Sequence, residues 1–249
     1  IGIFFAKGEY ILSNDADTIP EPDALIKYMQ YFTSPNGVNY AAITANMDVY
    51  NRSTLWGKSQ TVEFSSIVGI IKRSQTAVNN TMYAYSGANT MYRRNFLINV
   101  GGFRQDRATE DISIAWDHTF MNVVPKFAPD IVFHMNVPES FHDLYRQRTR
   151  WAQGGTEVWL TNFTKIITHP WRFRFVIPML VDTTLSIVWS FFFWITSLIF
   201  VSLMTSFFLT GNYERVWHGI VMSMIFVSFQ LIAGLFQVLA ALILDFNGT

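Results

Sequence analysis

The sequence predicts an α/β domain with a mixed sheet, followed by helices at a membrane interface and two transmembrane helices. Three observations carry that prediction. Short apolar runs alternate with segments of helical periodicity through the first half; almost all the charge lies before Arg174; and residues 183–213 and 216–244 contain no Asp, Glu, Lys or Arg. Each of these uncharged runs exceeds the roughly 20 apolar residues that a spanning helix needs. Composition agrees: of 249 residues 50% are hydrophobic, 16% aromatic and only 14% charged, with a formal net charge of zero. That balance is too apolar for an ordinary soluble domain and gives no reason to expect a nucleic-acid partner.

Taken in order, "EYILSNDAD" is a short strand that runs into an acidic loop. "TIPEPDALIKYMQYF" reads as a helix with Leu25, Tyr28, Met29 and Phe32 on one face. "VNYAAITANMDVY" reads as a second strand, and residues 55–78 as helical for most of their length. "TMYAYSGANTMYRR" reads as a third strand with Gly87 inside it, where a backbone can come close to a ligand. "TEDISIAWDHTFMN" opens a helix whose apolar face is Ile112, Ala115, Trp116 and Phe120. Strands alternating with helices argue for a mixed sheet, with ligands at the strand ends.

The chain then divides into residues 1–137 as the α/β part, 138–174 as amphipathic interface helices, 175–210 as the first transmembrane region and 214–244 as the second. Residues 175–182, with Pro178, read either as the tilted start of the first span or as a separate interfacial segment. Lys165, Arg172 and Arg174 precede the first span, whereas the connection "GNYER" holds one arginine beside a glutamate, so the α/β part is expected on the cytoplasmic side. The start reads as the middle of a domain and the end as abrupt, so both ends are expected to be truncated.

Three groups of charged residues carry chemistry. Asp15 and Asp17 follow the first strand; in extended backbone, residues i and i+2 point the same way, and two carboxylates suit a hard cation that shares its shell with phosphate oxygens. The same pair also suits a solvated acidic turn. Glu110 and Asp111 follow Thr109 where a helix begins, which is ordinary dipole chemistry but also a place for a general base. In "PESFHDLYRQRTRWAQ", a helix puts Gln147, Arg150 and Trp151 on one face at i, i+3 and i+4. An arginine fork matches phosphate and an indole face stacks on a sugar ring. A basic helix on anionic lipid is the competing reading, and Arg146 and Arg148 suit that surface too. His118 lies off the apolar face of its helix and reads as a surface or packing residue, while His134 and His142 are too isolated for a zinc site.

In this order, D-x-D, T-E-D and Q-x-x-R-W ahead of membrane spans, the chain resembles the processive family-two glycosyltransferases of GT-A fold, which make cellulose, chitin, hyaluronan and poly-N-acetylglucosamine. "VEFSSIVGIIKRSQ", "YSGANTMYRR", "RATEDISIAW" and "VPESFHDLYRQRTRWAQGGTEV" look most like the bacterial poly-N-acetylglucosamine synthases. The resemblance implies that Asp15 and Asp17 bind the diphosphate of a UDP-sugar donor through Mg2+ or Mn2+, with Asp17 the more direct ligand. It implies that Asp111 is the base and Glu110 shapes its pocket, that Ser86 and Gly87 line the acceptor end, and that Gln147, Arg150 and Trp151 hold diphosphate and the acceptor sugar.

The implied reaction transfers N-acetylglucosamine from UDP-GlcNAc to a growing β-linked polysaccharide at the plasma membrane, coupled to its export through the bilayer, with room for a small accessory membrane subunit. A transferase adding one sugar to a lipid such as ceramide, and a non-catalytic membrane subunit, are the alternatives. The family's first half, with an earlier uracil-reading aspartate and further spans, is not in this sequence.

Overall fold

The computed structural model describes residues 2–246, with side chains except at 65–67, 237, 238 and 240–246. Helix α1 (Gly2–Phe5) leads into strand β1 (Tyr10–Ser13), β2 (Thr18–Pro20), helix α2 (Ala24–Thr33) and the long β3 (Tyr40–Val49). Helix α3 (Leu55–Phe64) continues as a π-helix (Ser65–Lys72) and then α4 (Arg73–Asn79). Strand β4 (Thr90–Arg93), α5 (Arg94–Asn99), α6 (Glu110–Phe120) and β5 (Val124–Met135) complete the α/β part. Three long helices follow: α7 (Phe141–Thr168), α8 (Ile177–Leu209) and α9 (Tyr213–Phe246).

Among the described residues the five strands form one mixed sheet in the order β1-β4-β3-β5-β2, with β3 and β5 parallel and the other pairs antiparallel. Alternation along the strands sends Ile43 and Met91 to one face, and Ala42 and Tyr92 to the other. The first face is covered by Ala24, Tyr28 and Phe32 of α2; the second by Phe64 and Val68 from the α3 and π-helical segments and Ile114 of α6. Burying each large side chain of this kind contributes about 1.5–3 kcal/mol, which holds helices on both faces.

Four elements differ from the sequence expectation. The helix after the acidic loop starts only at Ala24, because Thr18–Pro20 pairs with Phe133–Met135 as an edge strand. Its buried positions are Ala24, Tyr28 and Phe32, while Leu25 and Met29 face outward, so the buried stripe is turned toward a small residue. Gly87 lies in the turn before β4, not inside a strand. Strand β5 has no counterpart in the sequence reading. Its prolines argue against a strand, but the pairing skips from Ala45–Ala128 to Asn46–Val132, so Pro129, Asp130 and Ile131 bulge out of the ladder. Helix α2 grips that bulge through Lys27 Nζ, 2.8 Å from the Asp130 carbonyl, and a Tyr31–Asp130 hydrogen bond.

A third buried cluster joins Trp116 of α6, Val158 and Ile166 of α7, and Met179 and Leu180 in the first turn of α8. Trp159 Nε1 donates to Thr184 Oγ1 at 2.8 Å across the same joint. Pro178 sits in the first turn of α8, where its missing N–H costs nothing, so residues 177–182 are the start of the long helix and not a separate segment. Helices α8 and α9 each contain a window of mean hydropathy 2.1 with none of it buried, and are long and apolar enough to cross a membrane. Trp189, Phe191 and Leu198 of α8 are more than 60% exposed, which water would penalise and hydrocarbon would not.

Candidate active site

The site forms where β1 ends and β4 begins, because Ser13, the last residue of β1, pairs with Thr90, the first of β4, and Thr44 in the middle of β3 pairs with Thr90 on the other side. Ser13 Oγ donates to the Gly87 carbonyl at 2.5 Å, tying the loop after β1 to the loop before β4. Asp15 and Asp17 occupy a turn closed by Thr18 N–H to the Asp15 carbonyl at 3.2 Å and pinned by Asn14 Nδ2 on the Asp15 and Thr18 carbonyls. Both carboxylates are therefore presented by a turn and not by extended backbone. Partial burial, with Asp17 and Glu110 nearby, raises the Asp15 carboxyl above the ordinary range, while Arg150 acts against them. Two acids and one arginine, from its own turn and from two later segments of the chain, thus act on Asp15.

Helix α6 begins behind them. Thr109 has extended backbone at the cap position, and Glu110 and Asp111 fill the first turn, where the helix dipole favours negative charge. Glu110 is exposed and its carboxylate lies so near Gly87 that an added Cβ there would sit 3.0 Å from Oε1. This close approach is what the glycine permits. Asp111 is half-buried; its Oδ1 accepts the Ile112 N–H at 2.9 Å, and the Gly87 N–H also serves it. Burial first, then Glu110, raises the Asp111 carboxyl; Lys72 and the two N–H groups oppose the rise. A carboxylate held at higher proton affinity is a better base. Ser86 is buried with its hydroxyl toward Met47 Sδ at 3.5 Å, so its side chain faces the protein interior rather than the cleft.

Helix α7 supplies the third part. Ser140 caps it, accepting the Asp143 N–H at 3.1 Å. Arg150 is exposed and acts on Asp15. Gln147 is half-buried, and its Oε1 is buried without a partner among the described residues. Trp151 packs edge-on against Phe64 at 6.3 Å, and the Arg148 guanidinium lies over its ring at 4.3 Å. Arg148 also reaches Glu63 at 2.7 Å, so it braces Trp151 and is not a lipid-facing charge. A sugar stacked on Trp151 must take the opposite face or displace Arg148. Helix α7 grips the chain leading into α6: Glu157 accepts the Ala108 N–H at 3.0 Å and Gln153 holds Glu157 at 2.7 Å. Of the predicted residues, the structure draws Asp15, Asp17, Glu110 and Arg150 into one charge cluster and sets Asp111 beside Gly87, while Trp151 packs toward α3.

His118 is fully buried with Nδ1 3.1 Å from the Tyr85 hydroxyl, and burial lowers its pKa to about 4, so it is a neutral packing group and not a base. His134 pairs with Asp48 at the surface. Sequence reasoning missed Lys72, which is buried at the end of the π-helix and acts on Asp111. A lysine among apolar residues in a helix reads as a surface residue. Only the π-turn turns it inward, and no period in the sequence marks it.

A family model described as glycosyl transferase family group 2 matches residues 10–244. The chain belongs to that family. The poly-β-1,6-N-acetyl-D-glucosamine synthase of Staphylococcus aureus strain COL is 36% identical over 188 residues, 76% of this chain and 44% of that protein. The synthase of the same name from Staphylococcus epidermidis is 37% identical over 166 residues, 67% of this chain and 40% of that protein. The family member described here therefore spans less than half the length of these curated relatives. A solved structure, the mannosyltransferase PcManGT from Pyrobaculum calidifontis in complex with GDP-Man and Mn2+, overlaps with a TM-score of 0.47 at 19% identity, over 74% of this chain and 52% of that one.

Proposed function

We propose that the chain is part of a membrane-embedded inverting glycosyltransferase that moves N-acetylglucosamine from UDP-GlcNAc to a growing β-linked polysaccharide and couples this to export. The observation that carries the reading is the meeting of the Asp15–Asp17 turn, the Glu110–Asp111 helix start and Arg150 just beyond the carboxyl end of β1. Likeness to the two staphylococcal synthases supports the sugar and the β linkage. The two long apolar helices, with basic residues ahead of the first, support a plasma-membrane protein whose sheet domain is cytoplasmic.

Among the described residues no three His, Cys, Asp or Glu side chains form a metal-holding group. Two carboxylates are nonetheless a fitting donor set for Mg2+ or Mn2+, since such ions take one or two protein carboxylates and complete their shell with water and phosphate. The crowding of Asp15, Asp17 and Glu110 is what a cation would relieve. Asp15 and Asp17 would hold it, with Asp17 the more direct, and it would neutralise charge on the diphosphate. Arg150 adds a fork of donors on the same side. Asp111 takes the proton from the acceptor hydroxyl as that oxygen attacks the anomeric carbon, UDP departs from the opposite face, and the configuration inverts. Gln147 and Trp151 hold the acceptor sugar on α7, and Gly87 leaves room for it beside Glu110.

The test uses the full-length protein in membranes supplied with UDP-GlcNAc and Mg2+. The expected result is UDP release together with a polymer that a hexosaminidase specific for poly-N-acetylglucosamine degrades. UDP release with a single sugar on a lipid would overturn the polymer reading, and no release with any UDP-sugar would overturn the enzyme reading.

A further inference from the structure

Lys72 is only 8% exposed, yet it forms no ion pair among the described residues. Among the described residues its Nζ makes one hydrogen bond, to the Tyr85 carbonyl at 3.1 Å, which leaves two of its three N–H groups without a partner there. A buried ammonium without a partner in contact is costly, and such groups concentrate at functional sites. Its placement gives the reason. Tyr85 stands two residues before Gly87, which lies against the Glu110 carboxylate at the start of α6, so the Lys72 bond anchors the loop beside Asp111. The π-helix ends at Lys72, whose side chain is buried and reaches the Tyr85 carbonyl, and π-turns are frequent at functional sites.

The groups facing Asp111 are few. Glu110 comes from its own helix, the Gly87 N–H from the loop before β4, the Tyr92 hydroxyl from β4 and the Lys72 ammonium from the π-helix. Lys72 is the positive charge among them. Tyr92 is fully buried and held neutral, with its pKa well above the ordinary value, and Glu110 repels. Burial brings Lys72 itself down to about 8, so it remains largely charged at neutral pH.

We propose that Lys72 is a positioning residue for the base: its ammonium clamps the Tyr85–Gly87 loop against Asp111 and keeps that carboxylate ionised when an acceptor sugar excludes water. This rests on the reading of Asp111 as the base. Before transfer Asp111 must be unprotonated, and on transfer it gains the hydroxyl proton and becomes neutral. A fixed positive charge nearby holds the first state at neutral pH while the Ile112 N–H orients the oxygen.

The experiment measures kcat/KM against pH for the full-length membrane protein with Lys72→Met, Lys72→Gln and Lys72→Arg, alongside UDP-GlcNAc binding. Losing an opposite charge should move the acidic limb up by about one pH unit in the Met and Gln variants, so that transfer on that limb falls roughly tenfold. Gln still offers a donor to the Tyr85 carbonyl, so it separates charge from anchoring. Arg should keep the limb in place, and donor binding should be unchanged in all three. An acidic limb that stays put in both neutral variants, with the rate merely lower at every pH, overturns the proposal, as does weakened donor binding as the main effect. Asp111→Asn is run in parallel: if it retains transfer, the base assignment itself fails, whereas loss of transfer there with unshifted limbs at Lys72 sinks the Lys72 inference alone.

Discussion

The Gly154 backbone lies against the Thr109 side chain so closely that an added Cβ would sit 1.9 Å from Thr109 Oγ1 and 2.7 Å from its Cβ. Helix α7, which carries Gln147, Arg150 and Trp151, is thus seated directly on the cap of α6, which carries Glu110 and Asp111. The glycine of "WAQGG" exists for this contact, and Glu157 on the Ala108 N–H fixes the same joint one turn later. Gln147, Arg150 and Trp151 are thus held in register with Glu110 and Asp111 by direct contact between the two helices.

Gly154→Ala should therefore separate α7 from α6. Overpacking of this kind costs about 1–3 kcal/mol, and displacing Arg150 from Asp15 should lower transfer more than stability suggests. Thermal melting and UDP release of the full-length variant check both effects. A Gly154→Ala protein with unchanged transfer would show that the joint does not set the site geometry.

Trp151→Phe should keep much of the packing against Phe64 and some stacking, whereas Trp151→Ala removes the ring from under Arg148. The Ala variant should give shorter or fewer chains with donor binding intact, and a loss of about 1–3 kcal/mol, less than a fully buried tryptophan because Trp151 is half-exposed. Product sizing on a gel separates the two. Chain length unaltered in Trp151→Ala would return the residue to a packing role.

Asp17→Ala should weaken UDP-GlcNAc binding in the presence of Mg2+ while leaving the fold unchanged, since Asp17 is exposed and bonds only with its neighbour Thr18 at 3.3 Å. Isothermal titration with and without Mg2+ measures this. Tight, Mg2+-dependent binding by the variant would remove Asp17 from the donor site.

Stability against pH offers a further check. Burial and Glu110 raise the Asp111 carboxyl in the folded state, so between its ordinary and raised pKa the folded protein holds a proton that the unfolded chain lacks. The contribution of Asp111 to stability is full below the ordinary value and is lost as pH rises through the raised one. At neutral pH its charge is a burden on the fold, so Asp111→Asn should melt at the same temperature as the native protein or higher. The difference should shrink on acidification. A variant clearly less stable at neutral pH would mean that the carboxylate is a structural cap.

The groupings of the candidate site were legible because they stand at short spacing: Asp15 with Asp17, Glu110 with Asp111, and Gln147 with Arg150 and Trp151 on one helix. The α/β class followed from apolar alternation, and the long apolar helices from missing charge. What stayed hidden has physical causes. Strand β5 is disguised by Pro125 and Pro129, which a bulge accommodates, and β2 by the helix-like "TIPEP" ahead of Ala24. Helix α2 turns its Ala24 side inward because that small residue fits against the sheet, which hydrophobicity alone does not rank. Lys72 and the Gly154–Thr109 contact depend on a π-turn and on long-range packing, neither of which leaves a local pattern.

In the proposed division of labour Asp111 moves the proton while Asp15, Asp17 and Arg150 hold the donor. The measurement that tests it most directly compares, in the full-length protein carrying Asp111→Asn, the rate of sugar transfer with the binding of UDP-GlcNAc and Mg2+. Transfer should fall by roughly 10²–10⁴, the usual cost of losing a general base, with donor binding unchanged. Near-native transfer would contradict it, and so would loss of donor binding together with transfer.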